Sequence, residues 1–255
     1  MLALERRNLI LEKLQEEKKV VVSELSQQFG VSEETIRRDL EKMEKEGLAI
    51  KSYGGAVLND STSIDMPFNV RKKTNVPGKQ KLAELAAAQI HDGDHIILDA
   101  STTSVFIAKA IKDKANLTVI TNSLEIMIEL SDVSDWNIIC SGGSLKEGYL
   151  ALVGPKTAEG LACFNADKAF FSCKGIDMEK GITDGNEMFS QVKQVMMYSA
   201  RESILAVDST KFDKIAFSKL CDIKSMSTIL TDKKPDDKWL TFFEQNQIHC
   251  IYPEA

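Results

Sequence analysis

Apolar residues follow two different rhythms along this chain. Over residues 1–58 they recur at helical spacing, whereas from residue 79 onward helical patterns alternate with short, near-continuous apolar runs. In the first section "ERRNLILEKLQEE" predicts an amphipathic helix and "VVV" (20–22) a short strand. "ELSQQF" predicts a second helix with Ser23 as its N-cap. "GVS" makes a tight turn, Ser32 caps a third helix, "EETIRRDLEKMEKEG", and Gly47 closes it. "LAIKSYGGAVL" reads as two short strands around a Gly54–Gly55 turn. Helix, helix, turn, helix, hairpin is the order of a winged helix-turn-helix.

The later section predicts strands at 95–100, 117–121, 137–141, 168–173, 203–208, 227–230 and 249–252. Helices are expected between them, at 79–91, 103–112, 123–130, 155–163 and 188–201. Apolar strands separated by helices predict a mostly parallel open sheet with helices on both faces. Residues 59–78 are polar, hold two prolines and lack a sustained period, which signals a linker or hinge. The expected organisation is therefore a winged helix-turn-helix at 1–58, a linker at 59–75 and a larger α/β domain at 76–255.

Charge adds a distinction that the net value hides. The chain carries −6 overall. Its first 58 residues hold ten Lys/Arg against eleven Asp/Glu. Projected as a helix, the third segment nevertheless buries Ile36, Leu40 and Met43 and gathers Thr35, Arg38, Lys42 and Lys45 on the opposite side. Such a stripe, led by Ser32 at the helix N-terminus, suits the major groove of double-stranded DNA. Arg37 lies on a flank among glutamates, and Lys51 and Tyr53 belong to the hairpin. Solvated i,i+4 ion pairs would account for the helix taken alone. The turn before it and the wing after it favour DNA.

In an open parallel sheet ligands bind beyond the C-terminal ends of the strands. Five such ends carry polar groups: Asp99 with Ser101, Thr102 and Thr103; Thr121-Asn122-Ser123; Ser141 with Gly142 and Gly143; Lys174-Gly175; and Asp208 with Ser209, Thr210 and Lys211. Hydroxyls and an amide suit sugar hydroxyls, while lysines and helix N–H groups suit phosphate. Singly, each has a plainer explanation as a helix cap or turn. Together they predict a site for a phosphorylated sugar.

The remaining features exclude other classes. Cys140, Cys163, Cys173, Cys221 and Cys250 are scattered, and His91, His95 and His249 are not spaced as ligands, so no metal site is expected. No cofactor is called for. No apolar run spans a membrane and no signal-peptide pattern opens the chain, which predicts a cytoplasmic protein.

Certain runs resemble the DeoR family of bacterial transcription regulators. They are Val31-Ser32, Thr35-Ile36-Arg37-Arg38-Asp39-Leu40, Tyr53-Gly54-Gly55-Ala56, and then Lys79 with Leu82-Ala83, "LDASTT", "TVITNS", "SGGSL" with "VGP", "FFSCKGID" and "AVDSTKF". The resemblance covers almost the whole length. It implies a C-terminal domain of sugar-isomerase/CoA-transferase-like fold, a phosphorylated sugar effector, and repression of a catabolic operon by a homodimer or homotetramer. Ser101 stands where the family usually has Gly, and Tyr53 where it usually has His. The stretch "GLAIKSYGGAVLNDST" is similar to the family's amino-sugar regulators. A sugar-phosphate isomerase with an accessory DNA-binding head is the competing reading, with Asp99, Asp208, Glu187 and Lys211 available for acid–base work. A DNA-binding scaffold with an empty pocket is a third.

Overall fold

In the computed structural model residues 2–58 and 68–254 are described, and the chain divides into two units, 1–74 and 75–255. The first unit begins with α1 (Ala3–Glu17), β1 (Lys19–Val21), α2 (Val22–Phe29) and α3 (Glu33–Lys45). The hairpin β2 (Ala49–Ser52)–β3 (Gly55–Leu58) and α4 (Phe68–Lys73) complete it. Its core joins Ile10 and Leu14 of α1, Leu25 of α2, and Ile36, Leu40 and Met43 of α3.

Ser32 caps α3 by accepting from the Thr35 amide at 3.2 Å. At the other end Gly47 adopts φ +72°, Leu48 donates to the Met43 carbonyl and Gly47 to that of Glu44. This double closure leaves Leu48 and Met43 buried together.

Two local expectations are corrected. Ser23 is not the cap of α2: the helix starts two residues earlier than expected, at Val22, with Val21 as N-cap and no side-chain capping bond. The Val22 amide instead donates to the Gly54 carbonyl of the wing at 2.8 Å, so backbone replaces the hydroxyl. The hairpin turn consists of Tyr53 and Gly54, because Gly55 already pairs with Ser52 and, across the sheet, with Val21. A Cβ on Gly55 would lie 2.0 Å from the Val20 carbonyl oxygen. Glycine therefore lets β3 approach β1 closely enough to close the sheet of order β1-β3-β2.

The second unit is built on seven parallel strands in the order β15-β14-β12-β9-β4-β5-β6. They are β4 (His95–Leu98), β5 (Thr118–Thr121), β6 (Asn137–Cys140), β9 (Ala166–Phe171), β12 (Ala200–Ala206), β14 (Thr228–Leu230) and β15 (His249–Ile251). The helices are α5 (Val76–Ala87), α6 (Thr102–Ala110), α7 (Leu124–Leu130), α8 (Pro155–Ala162), α9 (Glu187–Tyr198) and α10 (Asp237–Gln245). Alternation along the strands covers both sheet faces. Ile97, Ala169, Phe171, Leu205 and Ile229 meet Leu161 of α8, Val192 and Met196 of α9, and Trp239 and Phe243 of α10. On the other face α5 packs on α6, with α5 also against β14 and α6 against β9.

Several elements exceed what periodicity predicts. The hairpin β7 (Ser144–Lys146)–β8 (Ala151–Val153) and the antiparallel sheet β10 (Gly175–Asp177)–β11 (Gly181–Asp184)–β13 (Ser218–Cys221) use strands of three or four residues, too short to show a period. The expected linker falls partly on residues 59–67, outside the described residues, and partly on α4. Helix α5 starts at Val76 rather than Lys79, since Pro77 fits a first helical turn.

The Gly55 contact gives a direct test. Gly55→Ala should destabilise the N-terminal unit by about 1–3 kcal/mol through overpacking. Faster amide exchange at β1 and β3, with β4 and β9 unaffected, is the expected signature; wild-type exchange would show that the strands have room for a methyl.

Candidate functional site

The parallel register sets six neighbouring strand ends along one edge of the sheet, those of β14, β12, β9, β4, β5 and β6. From β4 the chain proceeds through α6 to β5 and through α7 to β6. β9 lies on the other side of β4 and leads away through α9 to β12. The direction of winding reverses between β4 and β9, which is where open α/β sheets bind ligands.

Lys193 of α9 crosses that point. Its ammonium is buried, donates to the Ser172 carbonyl after β9 at 2.6 Å, lies 3.3 Å from Asp99 after β4, and hydrogen-bonds Asp184 at the end of β11. Burial opposes its charge, but Asp184 and then Asp99 outweigh burial and raise its pKa. Burial likewise raises the Asp184 carboxyl, and Lys193, by charge and hydrogen bond, brings it below its ordinary value. Burial, followed by the Asp184 charge, pushes the Cys173 thiol well up, so it stays protonated and unreactive.

Asp99 is among the polar groups predicted to form the sugar-phosphate site. Its carboxylate is 1% exposed and engaged on both oxygens: by the Ser101 amide at 3.1 Å, the Ser104 hydroxyl at 2.5 Å and the Ser172 amide at 3.2 Å, beside Lys193. It shapes the loop and has no lone pair turned outward for a ligand. Ser101 caps α6 by accepting from the Ser104 amide, which leaves Thr102 and Thr103 as the first helical residues.

Thr121 spends its hydroxyl on the Leu98 carbonyl at 2.7 Å and on the Ser123 amide, and Ser123 caps α7. Asn122 donates from Nδ2 to the Leu152 carbonyl of β8, and its Oδ1 is buried without a hydrogen-bond partner. Gly142 and Gly143 both have positive φ, and a Cβ on Gly143 would collide with the Thr157 hydroxyl. Thr157 holds the loop by donating to the Gly142 carbonyl at 2.8 Å.

Asp208 caps the short turn Ser209–Lys211, accepting from the Thr210 amide and hydroxyl. Burial raises its carboxyl, but Lys211, the Thr210 hydroxyl and Lys79 of α5 together hold it below its ordinary value. Lys174 sits where a Cβ on Gly185 would fall 2.6 Å from its Nζ, and Gly175 opens β10.

The site also contains residues that the sequence reading passed over. Ser104, Ser172, Asp184 and Lys193 form the link just described. Lys79 and Asp232 flank Asp208, and Asp232 accepts from the Ser209 amide at 2.6 Å. Lys193 was detectable: it stands next to Val192 and three residues before Met196, on the buried side of its helix. Asp184 lies in "GITDGNE", which reads as a turn and gives no such signal.

In the first unit α3 presents Ser32, Thr35, Arg38 and Lys42 away from its buried side. Arg38 has a side chain 77% exposed and lies 3.4 Å from Glu34; Arg37 pairs with Glu33 at 2.7 Å. Both are i,i+4 pairs that a phosphate or base edge would displace. Tyr53 is fully exposed at the wing tip. Lys51 bonds Glu41 of α3 at 3.1 Å, and that bond and charge lower the Glu41 carboxyl.

Residues 6–62 match the family described as the DeoR-like helix-turn-helix domain, and residues 74–233 the DeoR C terminal sensor domain. The chain is 40% identical to an uncharacterized HTH-type transcriptional regulator of Bacillus subtilis, over 97% of this chain and 96% of that one. It is 34% identical to the L-fucose operon activator of Haemophilus influenzae, over 96% and 98% of the two chains. Identity to the glycerol-3-phosphate regulon repressor of Escherichia coli is 30%, over 91% of each. Among solved structures, ribose 5-phosphate isomerase A of Methanocaldococcus jannaschii is similar over 52% of this chain and 53% of that one, with TM-score 0.38 and 17% identity.

Two measurements check the electrostatics. Lys193→Met strands two buried carboxylates and should cost about 3–5 kcal/mol of stability, part of it regained by adding Asp184→Asn. The depressed Asp184 and Asp208 carboxyls stabilise the fold above the ordinary aspartate range, near pH 4, and lose that contribution as pH falls through their lower folded values. Raised Lys193 keeps its contribution until pH exceeds the ordinary lysine range. Urea midpoints should therefore stay level around neutrality and drop on the acid side.

Proposed function

The chain belongs to the DeoR family of transcription regulators, and from that premise we propose that it represses a sugar or amino-sugar catabolic operon and leaves its operator when a phosphorylated sugar binds the sensor domain. The observation that supports the effector site is the meeting of α6, Lys174, Lys193 and the Ser209–Lys211 turn at the reversal point of a parallel sheet. Thr102 and Thr103 at the start of α6 with Lys174 or Lys211 hold the phosphate, Ser101 caps the helix beneath them, and Asn122, with its unpartnered Oδ1, receives a sugar donor group. Asp99 and Lys193 keep the loops in place for them.

Operator duplex is read by α3 and the wing. Ser32, Thr35 and Arg38 face base edges, while Arg37, Lys42, Lys51 and Tyr53 approach the backbone. The names of two relatives, an L-fucose operon activator and a glycerol-3-phosphate regulon repressor, support an effector of sugar or phosphorylated-polyol type. Among the described residues no helix is long and apolar enough to cross a membrane, which fits action on DNA in the cytoplasm. A homodimer or homotetramer is the expected assembly, since helix-turn-helix heads generally act in pairs on two half-sites.

Effector binding is used to shift an equilibrium and not to stabilise a transition state. Each tenfold preference for the DNA-free arrangement contributes about 1.4 kcal/mol of release.

A panel of sugar phosphates, screened for release of the protein from its own promoter DNA, tests this reading; a panel in which none releases it would refute the effector assignment. Arg38→Ala should weaken specific DNA binding by roughly 1–3 kcal/mol at matched salt and leave the melting temperature in place. Lys211→Ala should bind operator normally yet fail to respond to effector. The wild-type protein should leave a bound sugar phosphate chemically unchanged after long incubation, and turnover would restore the isomerase reading.

A further inference from the structure

A buried carboxylate on the recognition helix plays no part in the contacts proposed above. Asp39 follows Arg38 on α3 and is 4% exposed. Its Oδ2 accepts from Arg6 Nε at 2.5 Å, and its Oδ1 lies 3.6 Å from Arg7 Nη1. Both arginines belong to α1, and Arg6 is itself buried. The pair is set into the apolar core that joins the two helices through Ile10, Leu40 and Met43.

Stability alone does not account for such a pair. Desolvating two charges cancels much of their attraction, and apolar residues of similar volume often hold a fold as well or better. What the pair adds is direction. An apolar stripe accepts a range of rotations about the helix axis, whereas a carboxylate gripped on both oxygens admits a narrow one. Side-chain tips stand about 5–6 Å from a helix axis, so a rotation of about 20° displaces them by about 2 Å. A hydrogen bond to a base edge does not survive that displacement. Successive residues sit 100° apart, so whatever fixes Asp39 also fixes where Arg38 and Thr35 point.

We propose that Asp39, held by Arg6 and Arg7, is the positioning residue for sequence readout: it sets the rotation of α3 against α1 and touches no DNA. The proposal rests on the DNA-reading role given to α3 above. It separates specificity from both stability and general affinity, because phosphate contacts tolerate a small rotation and base contacts do not.

The test uses the full chain, duplexes that the wild-type protein selects from a randomised pool, and scrambled duplexes of the same composition. The variant Arg6→Met/Asp39→Leu replaces the pair with apolar side chains. Its melting temperature is expected at or above the wild-type value, and its affinity and salt slope on scrambled duplex unchanged. Its preference for selected over scrambled duplex should fall by about tenfold or more, the share of one base-edge contact. An unchanged preference in this folded variant would overturn the proposal. If the double variant does not fold, Asp39→Asn keeps the shape and removes the charge; a reduced preference with a cooperative melt supports the proposal, and an unreduced one overturns it. A wild-type protein that selects no duplex from the pool would remove the DNA reading itself, a separate failure.

Discussion

One ammonium group holds the sensor domain's working edge together. A parallel ladder aligns the ends of its strands but leaves the loops beyond them unspecified, since each loop has spent its last ladder hydrogen bond. Lys193 supplies the missing constraint by bonding the Ser172 carbonyl and Asp184 and lying against Asp99. These acceptors follow β9, end β11 and follow β4, so a single side chain ties the two oppositely wound halves of the sheet. Asp99 carries the constraint onward to Ser101, Ser104 and the start of α6. The helix N-terminus is thereby held in place by the fold itself, so a ligand bound there as proposed would not have to order it.

The N-terminal unit uses the same device on a smaller scale. There a buried carboxylate, Asp39, is gripped by arginines where a helix has to be aimed. In both units the buried ions stand behind the surface expected to meet a ligand. Arg38 and Tyr53 are outward and Asp39 inward; Lys211 is half-buried and Lys193 inward. Apolar packing makes each unit stable, and the buried ions make its geometry single-valued.

Much of this was legible in the sequence because the relevant signals are local. Ser32 and Ser123 announce helix starts through their own hydroxyls, α6 starts one residue before the expected 103 with Ser101 as its cap, and continuous runs such as "HIIL" and "AFF" announce parallel strands through their lack of alternation. All seven strands of the main sheet were readable on that basis, with ends displaced by up to three residues. What escaped depends on contacts distant in sequence. Asp99 looks like a ligand group until Lys193, 94 positions later, is seen beside it. Ser23 looks like a cap until the wing carbonyl of Gly54 is found in that place. Strands of three residues, such as β7 and β10, are set by their partners and have no pattern of their own. The outward stripe of α3 was the easier set, since a helix projection needs no tertiary information.

The bond from the Val22 amide to the Gly54 carbonyl carries a mechanical consequence. Wings on helix-turn-helix heads are often pictured as tips that fold down once a duplex arrives. Here the hairpin terminates a helix of the reading motif, and Gly55 clasps it to β1. Bending the wing would uncap α2, so hairpin and helices move as one piece. In the DNA-reading role proposed for it, such a head would meet a duplex as a preformed surface. Selectivity would then include the ease with which a given DNA sequence deforms, a property of base steps that the protein need not touch.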